Sequence, residues 1–109
     1  MRQVRIKENS WLARMAAGRL GAMRVAMVIG HTVHLHNTTA RAFLADTGWV
    51  CHELKHVEQY ERYGIVGFLW RYLRETVKKG YFNNRFEAEA RAAEGDITLL
   101  LKYKLPSGQ

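Results

Sequence analysis

The sequence predicts an α+β fold in which a small sheet of three to four mostly antiparallel strands packs on helices. Two patterns indicate this fold: short segments that alternate apolar and polar residues with the two-residue period of a strand, and longer segments with apolar residues at helical spacing. One proline, nine glycines and 48% hydrophobic residues in 109 residues are typical of a well-packed chain. We therefore expect one domain over residues 1–109, which can bury roughly two thirds of its unfolded surface.

Four segments have the pattern of strands. Residues 4–7 alternate apolar and basic side chains, and residues 24–29 are rich in β-branched residues. Thr32–His36 alternates again after Gly30, so we expect a hairpin that turns near this glycine. Residues 97–105 also alternate and predict a final strand.

Four further segments have the pattern of helices. The first covers residues 12–20 after a Ser10 cap, the second covers residues 49–63, and the last begins at Asn83 or Asn84 and runs to residue 94. The third helix precedes Gly80, and we expect its apolar stripe to pack behind the second helix. This stripe consists of Val66, Leu69, Leu73 and Val77.

Composition restricts the classes of function. The formal net charge is +7, but the basic side chains are spread along the chain without a recognised DNA- or RNA-binding motif. We therefore expect no specific nucleic-acid partner and a basic surface that favours acidic partners. No apolar run approaches the roughly 20 residues of a bilayer span, and no signal-type segment is evident, which predicts a cytoplasmic protein. The lone Cys51 cannot form an internal disulfide and is expected to be a buried free thiol.

The second predicted helix contains the pentapeptide His-Glu-Leu-Lys-His at residues 52–56. In a helix, His52 and His56 lie one turn apart on one face, about the spacing at which two imidazoles can hold one zinc ion, and Glu53 lies beside them. The alternative is a solvated helix face without a metal. The separate apolar stripe on the same helix favours the metal site.

A catalytic zinc ion needs a third protein ligand and leaves one position for water. Glu87, in the last predicted helix, is the candidate. Two alternatives remain open. With Asn84 as N-cap, Glu87 could close a capping box instead, or Glu89 could be the ligand. Glu89 lies about 200° round the helix from Glu87, so both cannot bind one ion.

The segments at residues 52–59 and 80–91 resemble the gluzincin metallopeptidases, and in particular the minigluzincins and related bacterial proteins of one small domain. The resemblance implies zinc-dependent peptide hydrolysis, with a third ligand in a Glu-x-x-Ala setting that matches Glu87 and Ala90. It also implies an edge strand along the cleft that pairs with substrate, a role that Thr32–His36 could fill. Residues 97–109 could complete the sheet, which we favour, or lie across the cleft as an inhibitory segment.

The predicted chemistry is hydrolysis of a peptide or protein substrate by a zinc-activated water, with Glu53 as the general base. An oxyanion-stabilising group is also needed, and the candidates are Tyr60, Tyr81, His34 and His36. The alternative function keeps the zinc ion and loses the catalysis. In that case the protein is a catalytically weak or inactive zinc-binding interaction or assembly module.

Overall fold

The computed structural model describes residues 2–21 and 23–106 and has the predicted α+β architecture. The strands are β1 (Arg2–Gln3), β2 (Arg5–Lys7), β3 (Val25–Ile29), β4 (Thr32–His36) and β5 (Tyr103–Lys104). The helices are α1 (Trp11–Leu20), α2 (Ala40–Ala45), α3 (Thr47–Tyr63), α4 (Ile65–Asn83), α5 (Arg85–Ala92) and α6 (Leu99–Lys102). A short 3-10 helix, Ala93–Gly95, continues directly from α5.

The main sheet has three strands in the order β2-β4-β3, so β4 is central and β3 lies at an edge. β3 and β4 form the predicted hairpin, which turns at Gly30 with a φ of 64°. β2 pairs with β4 in parallel, because α1 and β3 supply the long connection that parallel neighbours need. β1 and β5 form a separate parallel pair. Two of the three strand pairings are therefore parallel, and the expectation of mostly antiparallel strands is wrong.

α1 begins and ends where the sequence predicts. The Ser10 hydroxyl accepts a hydrogen bond from the backbone N–H of Ala13, and Gly21 ends the helix with a φ of 67°. The buried face of α1 contributes Ala13 and Ala17, which pack against Val25 of β3. α1 therefore covers the hairpin.

α3 lies at the centre of the fold and packs against β3, α4, α5 and α6. Its predicted apolar stripe is buried, with Val50, Leu54 and Val57 no more than 2% exposed. Cys51 is a buried free thiol, as expected, and burial raises its pKa. The core thus fixes the orientation of α3 and directs its polar face toward α5.

α4 presents a different face to the core from the one predicted. Val66 and Val77 are 81% and 78% exposed, whereas Phe68 is 2% exposed and packs in the core. Tyr72, one turn after Phe68, packs against the same core cluster. The predicted stripe is therefore wrong as a packing surface, because two aromatic rings fill the space behind α3. No helix in the described ranges is long and apolar enough to cross a membrane.

The C-terminal segment is not the predicted single strand. Residues 99–102 form α6, and only Tyr103–Lys104 is extended, paired with β1. Leu99 of α6 and Tyr103 of β5 are each 1% exposed, so both ends of this segment are buried in the core. The segment therefore joins a sheet and, up to residue 106, does not line the cleft described below. Residues 107–109 of the candidate inhibitory segment lie outside the described residues.

Asn84 joins α4 to α5 through three hydrogen bonds. Its Nδ2 donates to the backbone oxygen of Tyr72 at 3.0 Å and to Oγ1 of Thr76 at 2.9 Å. Its Oδ1 accepts from the backbone N–H of Phe86 at 2.8 Å, which caps α5. Asn84 is fully buried, so water cannot replace these bonds if the side chain is removed.

We expect Asn84→Ala to lower the free energy of unfolding by about 2–3 kcal/mol, since the helix cap and two further hydrogen bonds are lost. Urea denaturation monitored by circular dichroism measures this change. Asn83→Ala is the matched control, because Asn83 is exposed and its change should stay within about 0.5 kcal/mol. Equal losses in the two variants would contradict the assignment of Asn84 as the cap.

Candidate metal centre

α3 and α5 bring the three predicted ligands together. Nε2 of His52 and Nε2 of His56 each lie 3.2 Å from Oε1 of Glu87. The three ligand atoms all lie within 4.8 Å of one another. Around a tetrahedral zinc ion with bonds of about 2.0–2.1 Å, neighbouring ligand atoms are about 3.4 Å apart. The cluster therefore has the donor atoms and the spacing that an ion of this size requires.

The second nitrogen of each imidazole is also held. Nδ1 of His52 lies 2.8 Å from Oε2 of Glu94, a carboxylate that can only accept. Nδ1 of His56 lies 2.8 Å from Oε1 of Gln59, whose Nε2 donates to the backbone oxygen of Phe86. Both imidazoles therefore carry hydrogen on Nδ1, which leaves Nε2 for a metal ion. The sequence did not identify these two partners, because they lie one helical turn away or on another element.

The structure distinguishes between the two glutamates of α5. Glu87 is 5% exposed and points at the histidines, and its carboxylate does not close a capping box, because the backbone N–H of Asn84 donates to Tyr81 instead. Glu89 is exposed and accepts a hydrogen bond from Nε2 of Gln59 at 2.9 Å. Of the two candidates, Glu87 is the one that belongs to the group of side chains that could hold a metal ion.

Tyr72 is a site residue that the sequence analysis missed. Its hydroxyl donates a short hydrogen bond to Oε2 of Glu87, the carboxylate oxygen that the histidines do not share. Burial and the charge of Glu87 raise the pKa of Tyr72, so its hydroxyl stays protonated and remains a donor. Its position one turn after Phe68 could have indicated an inward-facing aromatic pair. The sequence also contains the more apolar stripe of α4, which was predicted to face inward.

The metal-free cluster carries protons. Burial lowers the pKa of His52, but hydrogen bonds to Glu87 and Glu94 and the charge of Glu53 outweigh it and raise the pKa to about 9. The pKa of His56 is raised for similar reasons. Burial raises the pKa of Glu87, yet the hydrogen bonds from both histidines hold it well below its usual range. A metal ion would therefore replace protons on the imidazoles.

Glu53 lies beside the cluster and lines the same cleft. It is 4% exposed, and burial raises its pKa to about 7 against the opposing charges of His56 and His52. None of the side-chain hydrogen bonds of His52, His56 and Glu87 ends on its carboxylate. A carboxyl group that titrates near neutral pH can both accept and release a proton under ordinary conditions.

The cleft has a volume of about 310 Å³ and is bounded by α1, β3, α4 and the side chains of His52, His56 and Glu87. Its wall includes Val25 to Val28 of β3, the edge strand of the main sheet. The expectation that Thr32–His36 borders the cleft is wrong, because β4 is paired on both sides and lies in the middle of the sheet. β3, and not β4, is the edge strand that lies along the cleft.

The four oxyanion candidates separate into two groups. Tyr60 and Tyr81 line the cleft, Tyr60 as a buried ring and Tyr81 as a half-exposed one. Burial raises the pKa of Tyr60 to about 12 and also raises the pKa of Tyr81, so both hydroxyls are protonated at neutral pH. His34 and His36 belong to β4 and do not line the cleft, and Nδ1 of His34 is hydrogen-bonded with the Ser10 hydroxyl. The structure does not bring these two histidines to the site.

Comparison of the chain with protein-family models, with curated proteins and with solved structures finds no match. In the described ranges the cleft is lined by three groups that fit a metal ion, by the carboxylate of Glu53 and by three tyrosine rings.

Glu87→Ala should abolish stoichiometric zinc binding, while Glu89→Ala should retain about one zinc ion per chain. Substitution of a residue that hydrogen-bonds to a metal ligand reduces metal affinity about 10–100-fold, so loss of a ligand itself should reduce the affinity further. Elemental analysis of the untagged, zinc-reconstituted proteins gives the metal content, and competition with a chromogenic chelator gives the affinity. Zinc retained in Glu87→Ala at the level of Glu89→Ala would exclude the site.

The stability of the metal-free protein should fall as the pH rises from 6.5 to about 9. The folded protein binds more protons than the unfolded chain in this window, because the pKa of His52 rises from 6.5 to about 9 on folding. The melting temperature in a chelator should drop by a few degrees, and His52→Gln should show a smaller drop. A melting temperature that rises over the same window would contradict this protonation state.

Proposed function

We propose that the protein is a zinc-dependent metallopeptidase of the gluzincin type, similar to the minigluzincins, with α3 as the active-site helix and α5 as the glutamate helix. One observation carries the proposal. Two imidazole nitrogens lie 3.2 Å from one Glu87 oxygen, and the Glu53 carboxylate lines the same cleft. This combines a catalytic type of zinc ligand set with a base that is not a ligand.

Glu53 is the proposed general base and acid. A zinc ion held by the cluster would supply a Lewis acid that makes water more acidic and polarises a peptide carbonyl. Glu53 accepts a proton from the attacking water, whose oxygen bonds to the carbonyl carbon. It then donates this proton to the amine nitrogen as the C–N bond breaks. Burial raises the pKa of this carboxyl group, which favours its acceptance of a proton in the first step.

The cleft offers a second feature that suits a peptide substrate. β3 is an edge strand, and such a strand presents backbone N–H and C=O groups with which an extended chain can pair. Residues from β3 and Phe68 and Leu69 of α4 give the cleft apolar walls for substrate side chains. Tyr81, 44% exposed at the cleft, is the best-placed donor for an oxyanion among the four candidates.

The alternative function, a zinc-binding interaction module without catalysis, accounts less well for Glu53. Burial raises the pKa of Glu53, so folding disfavours its charged form, and a purely structural zinc site has no need of this side chain. A catalytic base must reach the attacking water, and Glu53 lines the cleft in which that water would lie.

Glu53→Gln decides between the two functions. We expect the zinc content to be unchanged and kcat/KM on a randomised fluorogenic peptide library to fall at least about a hundredfold, since only the proton transfer is lost. The melting temperature should stay the same or rise, because a buried ionisable group becomes a neutral amide of the same shape.

Glu89→Ala is the control for this experiment and should retain both zinc and activity. Cleavage by Glu53→Gln at the rate of the natural protein would exclude Glu53 as the base. A zinc-loaded natural protein that cleaves no member of the library would favour the interaction module.

A further inference from the structure

α4 carries an apolar stripe on its outer surface. On a helix with 100° per residue, these side chains fall within a sector about 100° wide, opposite the face that holds Phe68 and Tyr72. Their exposed fractions are 81% for Val66, 43% for Leu69, 64% for Trp70, 57% for Leu73 and 78% for Val77. Such a continuous row of exposed large apolar residues marks a surface for interaction.

Basic side chains accompany the stripe. Arg71, Arg74 and Lys78 follow one flank of it, about 80–140° round the helix from Val66. Arg71 is engaged within the fold, donating to the backbone of Gly67 at 3.1 Å. Within residues 2–21 and 23–106, Arg74 and Lys78 have no ion-pair partner.

α4 has few acidic side chains. Glu75 is the one carboxylate in the helix, and it is occupied by ion pairs with Lys79 at 3.6 Å and Arg85 at 4.0 Å. The helix therefore presents an excess of positive charge next to an apolar face. This is the composition of helices that lie in the interface of a membrane, with apolar residues below the headgroups and basic residues at their level.

We propose that α4 docks on the surface of a lipid bilayer that contains anionic headgroups. Val66, Trp70 and Leu73 would enter the boundary between headgroups and acyl chains, and Arg74 and Lys78 would contact the anionic headgroups. The outer face of a single helix is convex, which suits a bilayer better than a peptide. A second copy of the chain is disfavoured, because two stripes in contact would bring together two basic flanks on chains of net charge +7.

Docking would determine where the cleft opens. Leu69 belongs to the stripe and also lines the cleft, so the two surfaces are continuous. The mouth of the cleft would lie beside the bilayer, where chains close to the membrane surface have access to it. Docking involves neither the metal ligands nor Glu53, so this proposal does not depend on the proposed catalysis.

The test is sedimentation with sucrose-loaded vesicles in the presence of a chelator, so that a metal ion contributes nothing. The vesicles contain either phosphatidylcholine alone or phosphatidylcholine with about 30% phosphatidylglycerol. We expect the full chain to partition at least about tenfold more strongly into the anionic vesicles, and to lose most of this preference in 0.5 M salt.

The variant Leu73→Ser with Lys78→Glu removes one apolar anchor and reverses one charge on the docking surface. It should partition about tenfold or more weakly into anionic vesicles. The matched control is Leu101→Ser with Lys104→Glu, which makes the same changes at exposed positions of α6 and β5. The control should bind within about threefold of the natural protein, and circular dichroism should show all three folded.

Two results would overturn the proposal. Binding to neither kind of vesicle would exclude a lipid surface, and equal weakening by both variants would show that net charge alone drives binding. Analytical ultracentrifugation tests whether a second copy of the chain binds the stripe instead. A dimer that Leu73→Ser with Lys78→Glu abolishes, without vesicle binding by the natural protein, would assign the surface to a second copy.

Discussion

The buried carboxylate of Glu87 is the constraint on which the rest of the structure depends. Glu87 is only 5% exposed, so its negative charge is stable there only beside positive or hydrogen-bonding groups. α3 supplies two imidazoles, and α4 supplies the hydroxyl of Tyr72. Three helices therefore meet at one side chain. Either protons on the imidazoles or a metal ion must balance the charge, so a metal ion bound here would also stabilise the fold.

The partners behind the cluster restrict its geometry further. Glu94 and Gln59 hold the outer nitrogens of the two imidazoles, and Asn84 holds α5 against α4. Gln59 and Asn84 are themselves held by hydrogen bonds to backbone oxygens, of Phe86 and of Tyr72 respectively. A metal ion bound by the proposed site would therefore meet side chains that are already in place, which would reduce the conformational entropy lost on binding.

α4 connects the inside of the protein with a surface of opposite character. Phe68 and Tyr72 face the core and the metal cluster, whereas Trp70 and Leu73 face outward. Leu69 lies between the two and takes part in the cleft. The same helix thus supports the proposed catalytic site with one face and presents the proposed membrane surface with the other. No other helix of the described chain has an exposed apolar row of this length.

Several features could be predicted from the sequence because their causes are local. The histidines at positions 52 and 56 share a helix face through helical geometry alone. The caps at Ser10 and Asn84 and the turn at Gly30 depend on side chains and backbone angles within a few residues. These predictions are confirmed. The candidate ligand in α5 was predicted too, although the sequence left Glu87 and Glu89 both open.

Tertiary structure decided what depends on distant contacts. The orientation of α5 selects Glu87, because Phe86 and Ala90 bury the adjoining face and leave Glu89 outside. The face of α4 that packs inward was predicted incorrectly, since hydrophobicity does not specify which of two apolar stripes matches the cavity behind α3. Strand order likewise made β3 the edge, as periodicity fixes the faces of a strand but not its neighbours. The sequence by itself determined the local chemistry of the site, and long-range packing determined which side chains complete it.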